Sequence, residues 1–214
     1  MYLDWLRHNP DIVWAATLEH LRMSLLAVAI ALPLALLLSV LGVLFTPVRQ
    51  PVLWVVGALY TIPSLAMLAF LIPSQGLGLR PTLILLVMYA QVFLVRNIVT
   101  GMAGVNRETL EAAYGVGMTT WQCLVQVWIP MALPVILAGV RIALTTVIGL
   151  AVLGGWAAAG GLGEVLFMGI STNNPQRVMA GVVAIIALAL VVDALRRGSE
   201  MLTPMSRARR AART

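Results

Sequence analysis

The sequence predicts an all-α membrane protein of about five transmembrane helices, and three observations predict it. Of 214 residues, 61% are hydrophobic and only 10% are charged, with a mean hydropathy of +0.97. A soluble domain of this length cannot hide that much apolar surface, so its solvent is lipid. The apolar residues also gather into five runs of roughly the 20 residues needed to cross a bilayer. Most of the charge lies between or beyond these runs, at the N-terminus, in an island over about 104–130 and in a C-terminal tail.

The N-terminal segment, 1–22, carries Asp4, Arg7, Asp11, Glu19 and Arg22 together with Trp5, Trp14 and Leu18. That mixture predicts an external segment, folded as a short helix on the membrane surface. It contains no short apolar core ending in small residues, so no cleavable signal peptide is expected. The transmembrane region then runs over 23–196, with spans expected at 23–45, 52–72, 81–99, 131–153 and 177–195. Pro33 and Pro63 interrupt the first two, and such breaks need neighbours to satisfy the freed backbone. Between the fourth and fifth spans, Gly154-Gly155 and Gly160-Gly161-Leu162-Gly163 precede the short apolar run Val165–Ile170, which predicts a partial helix and loop on the outer face.

The island is the most informative stretch. Asn106 is placed to cap a short helix with Glu108 in its positive first turn. Gly115 and Gly117 supply the freedom to end that helix and turn. Thr119 and Gln122 then fit a capping box opening a second helix. Trp121, Leu124, Val125 and Trp128 fall at spacings of three, four and seven and predict one apolar stripe, and Pro130 is expected to stop that helix. The result is an L-shaped knob. Resting a tryptophan face on lipid headgroups is the other use of such a pattern.

All 14 basic residues are Arg. With the island and the tail inside, nine arginines are inside: Arg49, Arg96, Arg107, Arg196, Arg197, Arg207, Arg209, Arg210 and Arg213. Arg7, Arg22, Arg80 and Arg177 are then outside, and Arg141 lies within the fourth span. The positive-inside rule therefore predicts N-terminus out and C-terminus in, with 197–214 a basic cytoplasmic tail. The tail sets topology and touches lipid, and nucleic acid is not an expected partner. Arg141 is read as a structural residue, paired near the inner face.

Composition also excludes chemistry. His8 and His20 are the only histidines, both precede the first expected span, and Cys123 is the sole cysteine. No metal-binding spacing or Cys/His pair is present, so no catalytic residue, metal or cofactor is expected. With no lysine the chain has no phosphate-binding Gly-x-x-x-x-Gly-Lys-Ser/Thr loop, so any ATP is bound by a partner. No repeat and no mid-span carboxylate points to a stand-alone secondary carrier, which remains an alternative.

Glu111-Ala112-Ala113, then Gly117 after three residues and Val127-Trp128-Ile129-Pro130 after nine more, resembles the Glu-Ala-Ala loop of ABC importer permeases. In that family the loop is cytoplasmic and docks on the ATPase subunit. The resemblance implies an ATPase-coupling role for Glu111, Ala112, Ala113, Gly117 and Pro130. Thr61-Ile62-Pro63-Ser64-Leu65-Ala66-Met67-Leu68, Tyr89, Arg96-Asn97, Gly139-Val140-Arg141-Ile142-Ala143 and Gly160-Gly161-Leu162-Gly163 resemble the osmoprotectant branch, which serves glycine betaine, carnitine and choline. Val127 and Ile129 are conservative departures, and Phe93 stands where that branch commonly has a proline.

The resemblance, over about 18–175, implies a type I ABC importer permease fold in a bacterial inner membrane. It also implies two ATP-binding subunits, a second permease copy or homologue, and an extracytoplasmic substrate-binding protein. An amino-acid-type permease is the nearest alternative. Thr61, Pro63, Ser64 and Tyr89 are candidate path residues. For Thr61 and Ser64 the other reading is bonding to carbonyls freed by Pro63. For Tyr89 it is ordinary packing, with cation–π contact to a methylammonium as the functional use. Gln91 is expected to face a neighbouring helix, and Gly139, Ala143, Gly149 and Gly154 to permit close helix approach.

Overall fold

The computed structural model describes residues 4–202, with side chains through residue 194. The side chains of Arg196 and Arg197 and the arginines from Arg207 onward lie outside the described residues, and with them the expected basic tail. Among the described residues there are helices and no strands: α1 (Asp4–His8), α2 (Pro10–Leu44), α3 (Thr46–Thr61), α4 (Ser64–Gln75), α5 (Leu79–Ala103), α6 (Arg107–Gly115), α7 (Thr120–Cys123), α8 (Ile129–Leu150), α9 (Gly161–Ser171) and α10 (Pro175–Leu202).

Four helices are long and apolar enough to cross a membrane, and α3 with α4 makes a fifth span if the bent pair is counted as one. α5 is the central helix. It packs against α2 on one side and α8 on the other, and buries Leu85, Leu86, Leu94, Val95 and Ile98 completely. Burial is inverted relative to a soluble protein at the periphery, where Trp54, Val55, Phe70 and Leu190 are exposed. In lipid these side chains need no cover.

Two expectations are corrected, at the N-terminus and at Pro33 in the first span, whereas the interruption expected at Pro63 is present. Residues 10–22 are not a separate surface helix, because α2 runs unbroken from Pro10 to Leu44. Pro10 stands in its first turn, and the next proline is Pro33. Val13, Ala16 and His20 are buried on its inner face, and the Glu19 carboxylate accepts from the Gly161 N–H at 3.1 Å. A 35-residue helix is about 52 Å long, so it extends well beyond the hydrocarbon core. Pro33 leaves the helix continuous, but at Pro63 the chain turns by 95° between α3 and α4. Ile62 and Pro63 both take extended backbone there, so the span over 52–72 is interrupted at Pro63 as expected.

Small residues set the closest approaches. A Cβ on Gly139 would lie 2.5 Å from Asn97 Cβ of α5, and one on Gly154 would lie 3.0 Å from Thr82. Ala143 is completely buried. Gly149 is different: nothing lies within 4 Å, so it is not a packing glycine in this chain. The tightest contact joins the glycine-rich stretches. After α8 the helix narrows to a 3-10 turn over Ala151–Gly155, and a Cβ on Gly163 would sit 1.9 Å from the Val152 carbonyl oxygen. Backbone meets backbone there, which seats α9, the expected partial helix, against the end of α8.

Candidate functional site

The knob is built as the sequence predicts in its first half. The Asn106 side chain accepts from the Glu108 N–H at 3.0 Å, capping α6. At the other end Gly117 takes φ +86°, and its N–H bonds the Tyr114 carbonyl while the Met118 N–H bonds that of Ala113. This is a left-handed C-cap that satisfies two orphan carbonyls, and it favours glycine at Gly117. The capping box also forms: the Gln122 N–H donates to Thr119 Oγ1 at 3.3 Å, and the Thr119 N–H donates to Gln122 Oε1 at 2.8 Å.

The second half departs from expectation. Pro130 does not stop the helix. A π-helical turn over Leu124–Trp128 carries the chain from α7 into α8, with the Ile129 N–H bonded to the Leu124 carbonyl. One wide turn changes the bonding frame just where Pro130 has no N–H to give, so the helix continues. The knob is therefore one short helix, α6, turned back on the N-terminal end of a long helix whose apolar span reaches from Thr120 to Gly155.

The expected stripe is split by the same turn. Trp121 and Val125 point outward, whereas Leu124 is buried and Trp128 is half-buried with its indole N–H donating to the Met102 carbonyl at 2.7 Å. That bond ties the π turn to the end of α5. The sequence reading missed it because a tryptophan in an apolar pattern reveals nothing of its N–H partner.

At the tip, Tyr114, Val116 and Trp121 are exposed; Val116 is 78% exposed. Glu111 and Ala112 are exposed too, while Ala113 is buried against the rest of the knob. Among the described residues Glu111 is held only by Arg107, at 2.8 Å on the solvent side. Such an i,i+4 surface pair contributes about 0.3–0.5 kcal/mol. The arrangement is a polar-rimmed apolar tip with a carboxylate that exchanges partners at little cost.

The second group of candidates lies at the α3–α4 break. Tyr89 is buried, and its hydroxyl donates to the Ile62 carbonyl at the break itself. Thr61 Oγ1 donates to the Ala58 carbonyl at 2.7 Å, one turn back. Thr61 and Pro63 are exposed and Ser64 is half-buried. Tyr60 meets Phe93 edge-to-face at 5.7 Å and Tyr89 at 6.1 Å between ring centroids. Neither Tyr60 nor Phe93 was singled out as a path residue, since an aromatic pair on two helices has no spacing signature. Phe93 leaves α5 continuous, whereas a proline would have had no N–H to bond there. Gln91 faces a neighbour as expected, donating to the Ala31 carbonyl of α2 at 3.0 Å.

With that geometry in hand, similarity to known proteins decides the family. Residues 31–200 match the family described as binding-protein-dependent transport system inner membrane component. The chain belongs to this family of importer permeases. It is 40% identical over 203 residues to the carnitine transport permease protein OpuCB of Listeria monocytogenes, covering 94% of this chain and 93% of that one. It is 37% identical over 194 residues to the glycine betaine/carnitine/choline transport system permease protein OpuCB of Bacillus subtilis, covering 89% and 88%.

Among solved structures, an inward-facing form of the MetNI methionine ABC transporter superposes with a TM-score of 0.72, at 24% identity, over 94% of this chain and 98% of that one. That likeness establishes the type I importer permease fold. The permease is thus a multi-pass inner-membrane transport subunit, of a family whose members work with ATPase and substrate-binding partners and as paired permeases.

Proposed function

We propose that this permease is the membrane-spanning half of an ATP-driven importer for glycine betaine or a related quaternary amine. The observation that carries the coupling reading is the knob: a glycine-turned helix with an exposed apolar tip, closed by a φ +86° cap at Gly117. An exposed apolar tip of this kind is a partner-binding surface, and the Glu-Ala-Ala spacing on it assigns the partner as the ATPase. Glu111, Ala112, Ala113 and Gly117 form the contact, and Pro130 marks where the knob's thrust enters α8. The chain has no lysine and no phosphate loop, so ATP is bound and hydrolysed by that partner, and the permease itself carries no cofactor or metal.

The substrate reading rests on relatives named for carnitine, glycine betaine and choline. Two permeases, as two copies or as this chain with a homologue, enclose the path. Two ATPase subunits close on ATP and draw on two knobs, rocking the pair to accept substrate from an extracytoplasmic binding protein. The N-terminus is outside and the C-terminus inside, so the knob faces ATP. Thr61, Pro63, Ser64 and Tyr89 stand on the path, with Tyr89 fixing the break and not itself touching substrate.

Uptake assays with the complete importer test this reading. Cells lacking other osmolyte importers, supplied with this permease and its partners, accumulate labelled glycine betaine, carnitine or choline. Accumulation of none of the three, with all subunits in the membrane, would overturn the substrate class. Uptake of an amino acid instead would favour the amino-acid-type alternative.

A further inference from the structure

One arginine is placed where simple topology does not call for it. Arg96 lies seven residues before the end of α5, about 10 Å inside that helix. An arginine near a span end normally extends to the interface. Here the guanidinium turns to α3 instead, where a Cβ on Gly57 would lie 3.2 Å from Nη2. Gly57 is itself 11 residues into α3, about 16 Å from its start. The Arg96 side chain is exposed, and among the described residues it makes no hydrogen bond or ion pair. An unpaired charge on a membrane-spanning helix is costly against lipid, so Arg96 belongs on an interior, water-accessible face.

The aromatic pair stands on the same two helices, one turn away. Phe93 is three residues before Arg96 on α5, and Tyr60 is three residues after Gly57 on α3. Three residues of helix rise about 4.5 Å. Tyr60 is 53% exposed, and its ring is positioned edge-to-face on Phe93. The ring of Tyr89 is buried and its hydroxyl is used at Ile62, so Tyr60 presents the accessible ring of the group. Arg96 and the aromatic pair thus lie one helical turn apart along α5, beside α3, where Gly57 and Tyr60 have the same spacing.

We infer that Tyr60, Phe93 and Arg96 form a transit subsite for a short zwitterion that carries a quaternary ammonium group and a carboxylate. The rings hold the ammonium through their negative faces, and Arg96 forks onto the carboxylate. A side chain at Gly57 would oblige the guanidinium to shift by a few tenths of an ångström. The inference rests on the quaternary-amine reading above and sharpens it. Glycine betaine has both charges, whereas choline has the ammonium but no carboxylate, so this membrane site favours betaine whatever the binding protein delivers.

The test uses the assembled importer without its binding protein, in detergent, with Thr61→Cys as reporter and Cys123→Ala to remove the native thiol. Glycine betaine, choline and acetate at equal high concentration are compared for slowing of modification by a small neutral thiol reagent. Glycine betaine is expected to slow it at roughly a tenth of the concentration that choline requires, with acetate ineffective. Adding Arg96→Gln should abolish the advantage of glycine betaine and leave choline unchanged; adding Tyr60→Leu should weaken both. Equal protection by choline, no protection by any probe, or an undiminished advantage in Arg96→Gln would overturn the subsite. Uptake by the unmutated importer is measured alongside. Uptake of quaternary amines without protection removes only the subsite, whereas failure of all such uptake removes the substrate reading beneath it.

Discussion

The Tyr89 hydroxyl donates to the main-chain carbonyl of Ile62, the residue at which α3 gives way to the 95° turn into α4. A broken span leaves carbonyls without helical partners, and in lipid each one has to be satisfied from elsewhere. The bond therefore explains how a break at Pro63 is held in one shape. It makes Tyr89 a positioning residue for the candidate path at Thr61 and Ser64.

Tyr89→Phe keeps the ring and deletes only this bond. Loss of one hydrogen bond at a part-buried site costs about 0.5–1.5 kcal/mol. We expect a measurable drop in thermal stability in detergent and a lower uptake rate with normal membrane insertion. Unchanged stability and uptake would mean that water or another donor holds the Ile62 carbonyl.

Coupling is expected to fail without misfolding in two knob variants. Glu111→Lys reverses an exposed charge whose only partner among the described residues is Arg107, so little folding energy is at stake. Gly117→Val places a β-branched residue at φ +86°, though open space surrounds it, so the cost of about 1–2 kcal/mol is local to the turn. Both should abolish substrate-stimulated ATP hydrolysis while membrane levels stay near normal. Retained stimulation in both would sever the knob from ATP coupling.

Two glycines make a direct contrast in packing. Gly163→Ala drives a methyl to 1.9 Å from the Val152 carbonyl, a clash of backbone with backbone, and should prevent accumulation of folded protein. Gly149→Ala meets nothing within 4 Å and is expected to be neutral or slightly stabilising, since Ala is the better helix former. Detergent gel-filtration profiles of the two variants decide this; a well-folded Gly163→Ala protein would contradict the close approach of α9.

Topology follows from placing the knob beside ATP. A reporter active only outside the membrane should be active when fused near Gln75 and silent at the C-terminus. The opposite pattern would put the knob on the face without ATP.

The helices were legible in the sequence because apolar run length is set by bilayer thickness, and the caps at Asn106, Gly117 and Thr119 were legible because each has a local chemical signature. What was not legible depended on remote partners. Pro33 and Pro63 look alike in sequence, yet one leaves α2 straight through and the other marks a sharp turn. Each has a donor from α5 nearby, Gln91 at Ala31 and Tyr89 at Ile62, so the difference between them has no local signature. Pro130 was misread because a π turn reconciles it with a continuous helix, and no pattern announces such a turn. The length of α2 was underestimated because charged residues such as Glu19 suggested a surface segment, whereas Glu19 has a partner 142 residues away. Arg96, counted simply as a cytoplasmic charge, gained its meaning from the glycine opposite it.

The central claim is that this chain moves substrate only when a docked ATPase drives it. Its most direct test is uptake by proteoliposomes containing the permease with its partner permease, ATPase subunits and binding protein, compared with liposomes holding the permease alone. Concentrative uptake of a quaternary amine that requires ATP and is lost in Glu111→Lys is the expected result. Specific, saturable, downhill transport by the permease alone, unaffected by ATP, would contradict the account and identify a stand-alone carrier.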